Sequence, residues 1–172
     1  MPTTAEQFLV VFLIAYLLAA VVTDLRSKRI PNRLNFAAIG IALALQFSAS
    51  GPDGLLVALA GLGVGLVMFL PFYAFGGMGA GDVKAMAAAG SFLGPSGAFL
   101  AAGLALVAGG GIAMILFMAR IGSIRLPWQT SEGGAQTAGQ PIAGFPYAGA
   151  IAVGCVIALL YLGRLGTFPM VI

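Results

Sequence analysis

Long apolar runs occupy most of this chain, and they constrain its fold more than any other feature. Of its 172 residues, 60% are hydrophobic and only 8% are charged, whereas a soluble domain usually carries about 25% charged residues. This small number of polar groups cannot cover a globular surface in water. The chain therefore belongs in a lipid bilayer. Runs of this length and composition predict membrane-spanning helices.

Six apolar segments predict an all-α fold, a polytopic membrane helix bundle with about six transmembrane helices. The segments lie at about residues 6–22, 34–49, 54–75, 83–94, 97–119 and 145–163. The fourth segment reaches only about 18 Å at 1.5 Å per residue before Gly94-Pro95. Either the preceding glycine stretch dips below the membrane surface, or this helix ends inside the bundle. We expect residues 1–172 to form a single membrane-embedded domain.

The basic residues predict the orientation of the bundle, because cytoplasmic loops carry an excess of Lys and Arg. If the N-terminus lies outside, seven of the eight basic residues face the cytoplasm: Arg26, Lys28, Arg29, Arg33, Lys84, Arg120 and Arg125. Only Arg164 is then left on the outer side. An even number of spans returns the C-terminus outside as well.

The rarity of cysteine and histidine excludes several kinds of chemistry. The chain has one Cys and no His, whereas a zinc site normally takes three or four Cys, His or carboxylate ligands. Ser-His and Cys-His nucleophile pairs are likewise impossible without His. We expect no metal and no organic cofactor. The net charge of +3 comes from a few basic residues that flank membrane segments, which argues against a nucleic-acid partner.

Two of the three aspartates lie at the ends of predicted membrane helices. Asp24 follows the first apolar run, and Asp82 ends a glycine-rich stretch. Ionisable groups at such places are costly, so a functional role is the default interpretation. Each also has a structural explanation, because Asp24 could be an interfacial charge paired with Arg26 or Lys28, and Asp82 could be a helix N-cap. Two carboxyl groups that meet across a bundle would instead suggest aspartyl-type acid/base chemistry.

Glycines and a proline mark further features of these segments. Gly61, Gly63 and Gly65 lie inside the third segment, and we expect them to allow close helix packing. Pro31 is predicted to open the second helix, because Pro suits a first turn.

The two aspartate segments together resemble those of the type IV prepilin peptidases, membrane aspartyl proteases with a G-x-G-D motif. That motif corresponds here to residues 79–82, followed by Val83-Lys84, and the first segment runs from Asp24 to Ile30-Pro31-Asn32. The start of the sixth segment is also similar, and the resemblance covers nearly the whole chain. The catalytic residues it implies are Asp24 and Asp82. The residues it implies as motif or support are Gly79, Gly81 and Lys84. The candidate substrate contacts are Arg26, Lys28, Pro146 and Tyr147.

The resemblance implies an aspartic endopeptidase that cleaves the basic leader of prepilins or pseudopilins at the cytoplasmic face of a bacterial inner membrane. The longer members of that family carry an N-terminal region with paired CxxC motifs that is linked to methylation. This chain lacks those motifs, so it resembles the short, peptidase-only branch that serves Flp-type pili, without a separate methyltransferase domain. The implied partners are the substrate, the bilayer and the pilus assembly machinery. A small proton- or cation-coupled transporter and a non-catalytic scaffold subunit remain alternatives.

The helix dipole also predicts where the proton shared by the aspartates rests. Asp82 begins a helix, whose positive end favours an anion, whereas Asp24 ends a helix, where an anion is disfavoured. Asp24 is therefore expected to be protonated and Asp82 ionised, unless Arg26 and Lys28 reverse the order.

Overall fold

The computed structural model consists of four helices over the residues that it describes. It describes the backbone of residues 4–27, 30–75, 78–122 and 147–165, and the side chains of residues 6–27, 30–75, 78–110 and 148–163. The helices are α1 (Thr4–Ser27), α2 (Asn32–Ala74), α3 (Ala80–Gly122) and α4 (Tyr147–Leu165). None of these described ranges contains a strand, which confirms the predicted all-α fold. Helices α1, α2 and α3 are each long and apolar enough to cross a membrane, and α4 is shorter.

Helices α2 and α3 are each interrupted by one glycine in a left-handed conformation. Gly51 has φ 62° and Gly94 has φ 67°, values that favour glycine because a Cβ atom would clash with the backbone. A methyl group on Gly54 would overlap the carbonyl of Gln46, although residues eight apart in a continuous helix are separated by about 12 Å. The chain therefore reverses direction at Gly51, and residues eight apart also meet across Gly94. These reversals coincide with two predicted segment boundaries, while the number of membrane crossings stays a prediction.

The first half of α3 forms the centre of the bundle. Every residue from 85 to 94 is buried, including the large side chains of Met86, Phe92 and Leu93. Most of the others are alanines, whose small side chains let the neighbouring helices approach closely. This half contains the predicted fourth segment but begins earlier, at Ala80. The buried Gly94 ends this half, and the two explanations for the short length of the predicted segment stay predictions.

Two glycines on one side of α2 bring its second half against α3. A methyl group on Gly61 would overlap the carbonyl of Gly90, and one on Gly65 would lie 2.5 Å from the carbonyl oxygen of Met86. The predicted close packing is therefore confirmed at these two glycines. It is wrong for Gly63, which has nothing within 4 Å of its ideal Cβ position, because two residues rotate a helix by about 200°.

Helix α1 lies against the rest of the bundle along one stripe. The buried residues of this stripe are Leu9, Leu13, Tyr16, Leu17, Ala20 and Asp24. Their spacing of three or four residues puts them on a single helix face, while Phe8 and Leu18 on other faces are more than half exposed. The helix continues to Ser27, beyond the predicted end of the first segment. Asp24 therefore lies inside its last turns, on the face that meets the bundle.

Candidate active site

Asp24 is a nearly buried carboxyl group at the end of the α1 stripe. Its side chain is 9% exposed, and its buried Oδ2 has no hydrogen-bond partner among the described residues. The carboxyl group also interacts with the backbone amide of Ala148, in the first turn of α4. A buried polar atom without a partner is costly, so it favours a functional role over a purely structural one. Arg26, one of its sequence neighbours, is exposed.

Asp82 is held in the first turn of α3 by the backbone of Gly79. The Gly79 N–H donates to Asp82 Oδ2 at 3.2 Å, and the Asp82 N–H donates to the Gly79 carbonyl oxygen at 3.1 Å. The first bond is the half of a capping box in which the side chain of the third helical residue reaches back to the N-cap N–H, and the second is a backbone turn bond, because Gly79 has no side chain. Asp82 is therefore not the N-cap itself, which was its structural explanation, and Gly79 takes that position.

The structure brings the two aspartate segments together at one end of the bundle. The carboxyl groups of Asp24 and Asp82 interact electrostatically although they belong to different helices. The amine of Lys84 donates a hydrogen bond to Asn32 Oδ1 at 3.0 Å. A methyl group on Gly81 would lie 3.8 Å from the backbone nitrogen of Ile30. Residues near Asp24 and residues of the glycine-rich motif therefore form one surface.

The connection after Asp24 is shaped by a proline. Pro31 precedes α2 with an extended backbone (φ −62°, ψ 134°), and its carbonyl accepts hydrogen bonds from the N–H groups of Leu34 and Asn35. The predicted opening of the second helix at this proline is confirmed. The start of α2 lies beside the start of α3, where the Lys84 amine donates to Asn32 Oδ1.

Of the remaining candidate residues, the structure describes the two glycines of the motif but not every predicted substrate contact. A methyl group on Gly79 would lie 3.3 Å from Asp82 Oδ2, whereas one on Gly81 would make only ordinary contacts. Lys28 and Pro146 lie outside the described residues, as does the side chain of Tyr147. In the described part of the chain, no group of three or more His, Cys, Asp or Glu could hold a metal ion.

A buried polar pair near this site was not singled out by the sequence. Tyr16 on α1 contacts Asn35 on α2 at 2.9 Å and the Ala85 carbonyl oxygen on α3 at 3.3 Å. One available signal was an Asn inside a predicted apolar segment. The other was a Tyr two turns before Asp24 on the same helix face.

A protein-family model matches the part of the chain that contains both aspartates. The model of the type IV leader peptidase family matches residues 11–114, which is more than half of the chain and includes both aspartates. No curated protein and no solved structure matches the chain. The matched region contains most of α1, all of α2 and most of α3.

Proposed function

The chain belongs to the type IV leader peptidase family, and we propose that it is an aspartic peptidase that removes the leader of Flp-type prepilins. Cleavage takes place at the cytoplasmic face of a bacterial inner membrane. The single observation that carries the aspartic assignment is that Asp24 and Asp82, on different helices, lie close enough at one end of the bundle for their carboxyl groups to interact electrostatically. Paired carboxyl groups in partly apolar surroundings suit acid/base hydrolysis.

The two carboxyl groups have different surroundings, which supports different roles. Asp82 accepts a backbone hydrogen bond from Gly79 at the N-terminus of its own helix, and both features favour the ionised form. Asp24 interacts with a backbone amide as well, that of Ala148 in the first turn of α4, so the difference lies in its other oxygen. Asp24 has a buried oxygen without a partner near the end of α1, where a neutral carboxyl group is less costly. Since like charges at close range cannot both ionise easily, the pair shares one proton. In this scheme Asp82 is the base and Asp24 is the acid.

Hydrolysis then proceeds through a tetrahedral intermediate. Asp82 takes a proton from water while the water oxygen bonds to the scissile carbonyl carbon, and Asp24 gives its proton to the carbonyl oxygen. Asp82 next passes its proton to the leaving nitrogen, the carbon–nitrogen bond breaks, and Asp24 recovers a proton from the diol. The products are a new carboxyl terminus and a free amine, and both aspartates return to their starting states.

The position of the candidate site at one end of an apolar bundle supports the proposed substrate class. A prepilin has a basic leader, which stays in the cytoplasm, and an apolar stem, which can lie among membrane helices. The peptide bond between them would be presented at the depth of the aspartates. Arg26 and Lys84, both exposed at this end, are proposed to contact polar groups of the substrate.

Cleavage of a Flp-type prepilin by purified enzyme in lipid vesicles tests the proposal, with products identified by mass spectrometry. The test variants are Asp24→Asn and Asp82→Asn. Asp53→Asn is the matched control, because Asp53 is exposed and is separated from the site by the first half of α2, roughly 28 Å of helix.

Wild type and the Asp53 variant are expected to cleave, and both test variants to be inactive at normal membrane levels. Cleavage retained in either test variant removes that residue from the mechanism. A wild-type protein that cleaves no prepilin contradicts the proposal and favours a transporter or a scaffold.

A further inference from the structure

A second buried polar cluster lies deeper in the bundle than the aspartates. The hydroxyl oxygen of Tyr16 is 2.9 Å from Asn35 Oδ1 and 3.3 Å from the carbonyl oxygen of Ala85. Tyr16 is 5% exposed and Asn35 is 1% exposed. Asn35 Nδ2 has no hydrogen-bond partner among the described residues. The cluster connects α1, α2 and α3, of which α1 and α3 carry Asp24 and Asp82.

The number of donors and acceptors in this cluster determines which group donates each hydrogen bond. A phenol has one proton, so Tyr16 cannot donate to both of its neighbours. The nitrogen and oxygen of an Asn side chain are distinguished by the bonds around them. If the Asn35 amide is turned by 180°, its Nδ2 donates to the Tyr16 oxygen, and Tyr16 donates to the Ala85 carbonyl. The atom without a partner is then a carbonyl oxygen, which is left unpaired in protein interiors more readily than an N–H group.

Each member of the cluster is joined to the aspartate end by a short length of rigid helix. Tyr16 and Asp24 lie eight residues apart on the same stripe of α1, about 12 Å. Ala85 lies one turn after Asp82 in α3. Asn35 lies one turn after the start of α2. A slide or rotation of α1 against α3 at the level of the cluster therefore displaces one carboxyl group relative to the other.

The register of α1 is its position along and about its own axis relative to the neighbouring helices. The other side chains of the α1 stripe between the cluster and Asp24 cannot fix this register. They are Leu17 and Ala20, and apolar packing is not directional, whereas a hydrogen bond weakens steeply when its geometry changes. We propose that Tyr16 and Asn35 are positioning residues, which set the register of α1 and thereby hold Asp24 in reacting geometry with Asp82. This role rests on the proposed function of the aspartate pair.

The test uses Tyr16→Phe, Asn35→Leu and the double variant. Each single change leaves a buried polar group without its partner and lowers the thermal stability. The double change replaces both groups by apolar ones of similar shape, so stability returns toward the wild-type value. The register is still lost in the double variant. Its kcat for prepilin cleavage is therefore expected to fall roughly 10- to 100-fold with little change in KM.

Gln46→Leu is the matched control for these variants. Gln46 is another buried amide on α2, 4% exposed, and its Nε2 lies 3.4 Å from the carbonyl oxygen of Phe92 on α3. It is more than two turns farther from the aspartates than Asn35. This variant is expected to lose stability while kcat stays within about twofold of wild type.

A second readout follows the position of α1 relative to α2, the helix that carries Asn35. Spin labels replace the exposed Leu25 on α1 and Phe36 on α2 in a Cys155→Ala background. The distribution of distances between them is expected to broaden in the double variant and to stay narrow in the Gln46 variant.

Wild-type kcat in the double variant, or an equal loss of kcat in the Gln46 variant, overturns the positioning role. An unchanged distance distribution in the double variant overturns it as well. Failure of the peptidase assignment gives other results. Either the wild-type protein does not cleave a prepilin, or the Asp82→Asn variant is still active.

Discussion

Replacing Gly65 by Ala is expected to separate the two central helices and to slow cleavage. The new methyl group would lie 2.5 Å from the Met86 carbonyl oxygen and 3.1 Å from the Ala87 Cα. Both are backbone atoms and cannot rotate away. Carbon atoms prefer separations of about 3.5–4.0 Å, so α2 and α3 must move apart by about 0.5–1 Å. Overpacking of this kind costs about 1–3 kcal/mol.

The same displacement reaches the candidate site, because Met86 lies one turn after Asp82. A misplacement of about 1 Å can reduce a catalysed rate by roughly 100-fold. Gly63→Ala is the matched control on the same helix, since nothing lies within 4 Å of its ideal Cβ position. Ala is a better helix former than Gly by about 1 kcal/mol, so this variant should equal or exceed the wild type in stability.

The assay compares the free energy of unfolding and the kcat for prepilin cleavage in the two variants. Both variants gain the same helix propensity, so Gly65→Ala should be less stable than Gly63→Ala by the overpacking cost alone, roughly 1–3 kcal/mol, and much slower. Equal stability of the two variants would refute the close approach of α2 and α3 at this glycine.

Three further predictions concern the site and the orientation of the chain. Gly79→Ala puts a methyl group 3.3 Å from Asp82 Oδ2, so kcat in the cleavage assay should fall about tenfold while thermal stability is nearly unchanged; an unaltered kcat would argue against this contact. In a Cys155→Ala background, a membrane-impermeant maleimide should label Arg33→Cys only from the cytoplasm and Asp53→Cys only from outside, and the reverse pattern would invert the topology. Because hydrolysis needs one ionised and one protonated carboxyl group, kcat plotted against pH should be bell-shaped, and a profile without an acid limb would contradict the paired mechanism.

The helices and their interruptions could be predicted because they depend on local chemistry. Apolar runs determine where a chain can enter a bilayer, and the breaks at Gly51 and Gly94 fall where Gly and Pro interrupt those runs. The start of α3 was predicted three residues too late, because the capping bond between Gly79 and Asp82 extends the helix into the glycine-rich stretch. Gly63 was misassigned because a list of small residues does not state which helix face is covered.

The sequence singles out Asp24 and Asp82 as candidates, and it does not single out the cluster beneath them. Asp24 and Asp82 stand out because ionisable groups are rare in an apolar chain. Tyr16 and Asn35 are uncharged, and each is acceptable alone in a membrane helix. Their importance appears only when three helices bring them together, and periodicity within one helix does not specify its neighbours.

Non-additivity of the two aspartate substitutions tests most directly whether Asp24 and Asp82 act as one catalytic unit. The measurement is the kcat for prepilin cleavage by Asp24→Asn, Asp82→Asn and the double variant in lipid vesicles, followed by mass spectrometry over long incubations. Residues that act as a unit lose nearly all of their effect with the first substitution. The double variant is therefore expected to be no slower than the slower single variant. Losses that multiply in the double variant would show that the two carboxyl groups act independently, which would contradict a shared-proton aspartyl pair.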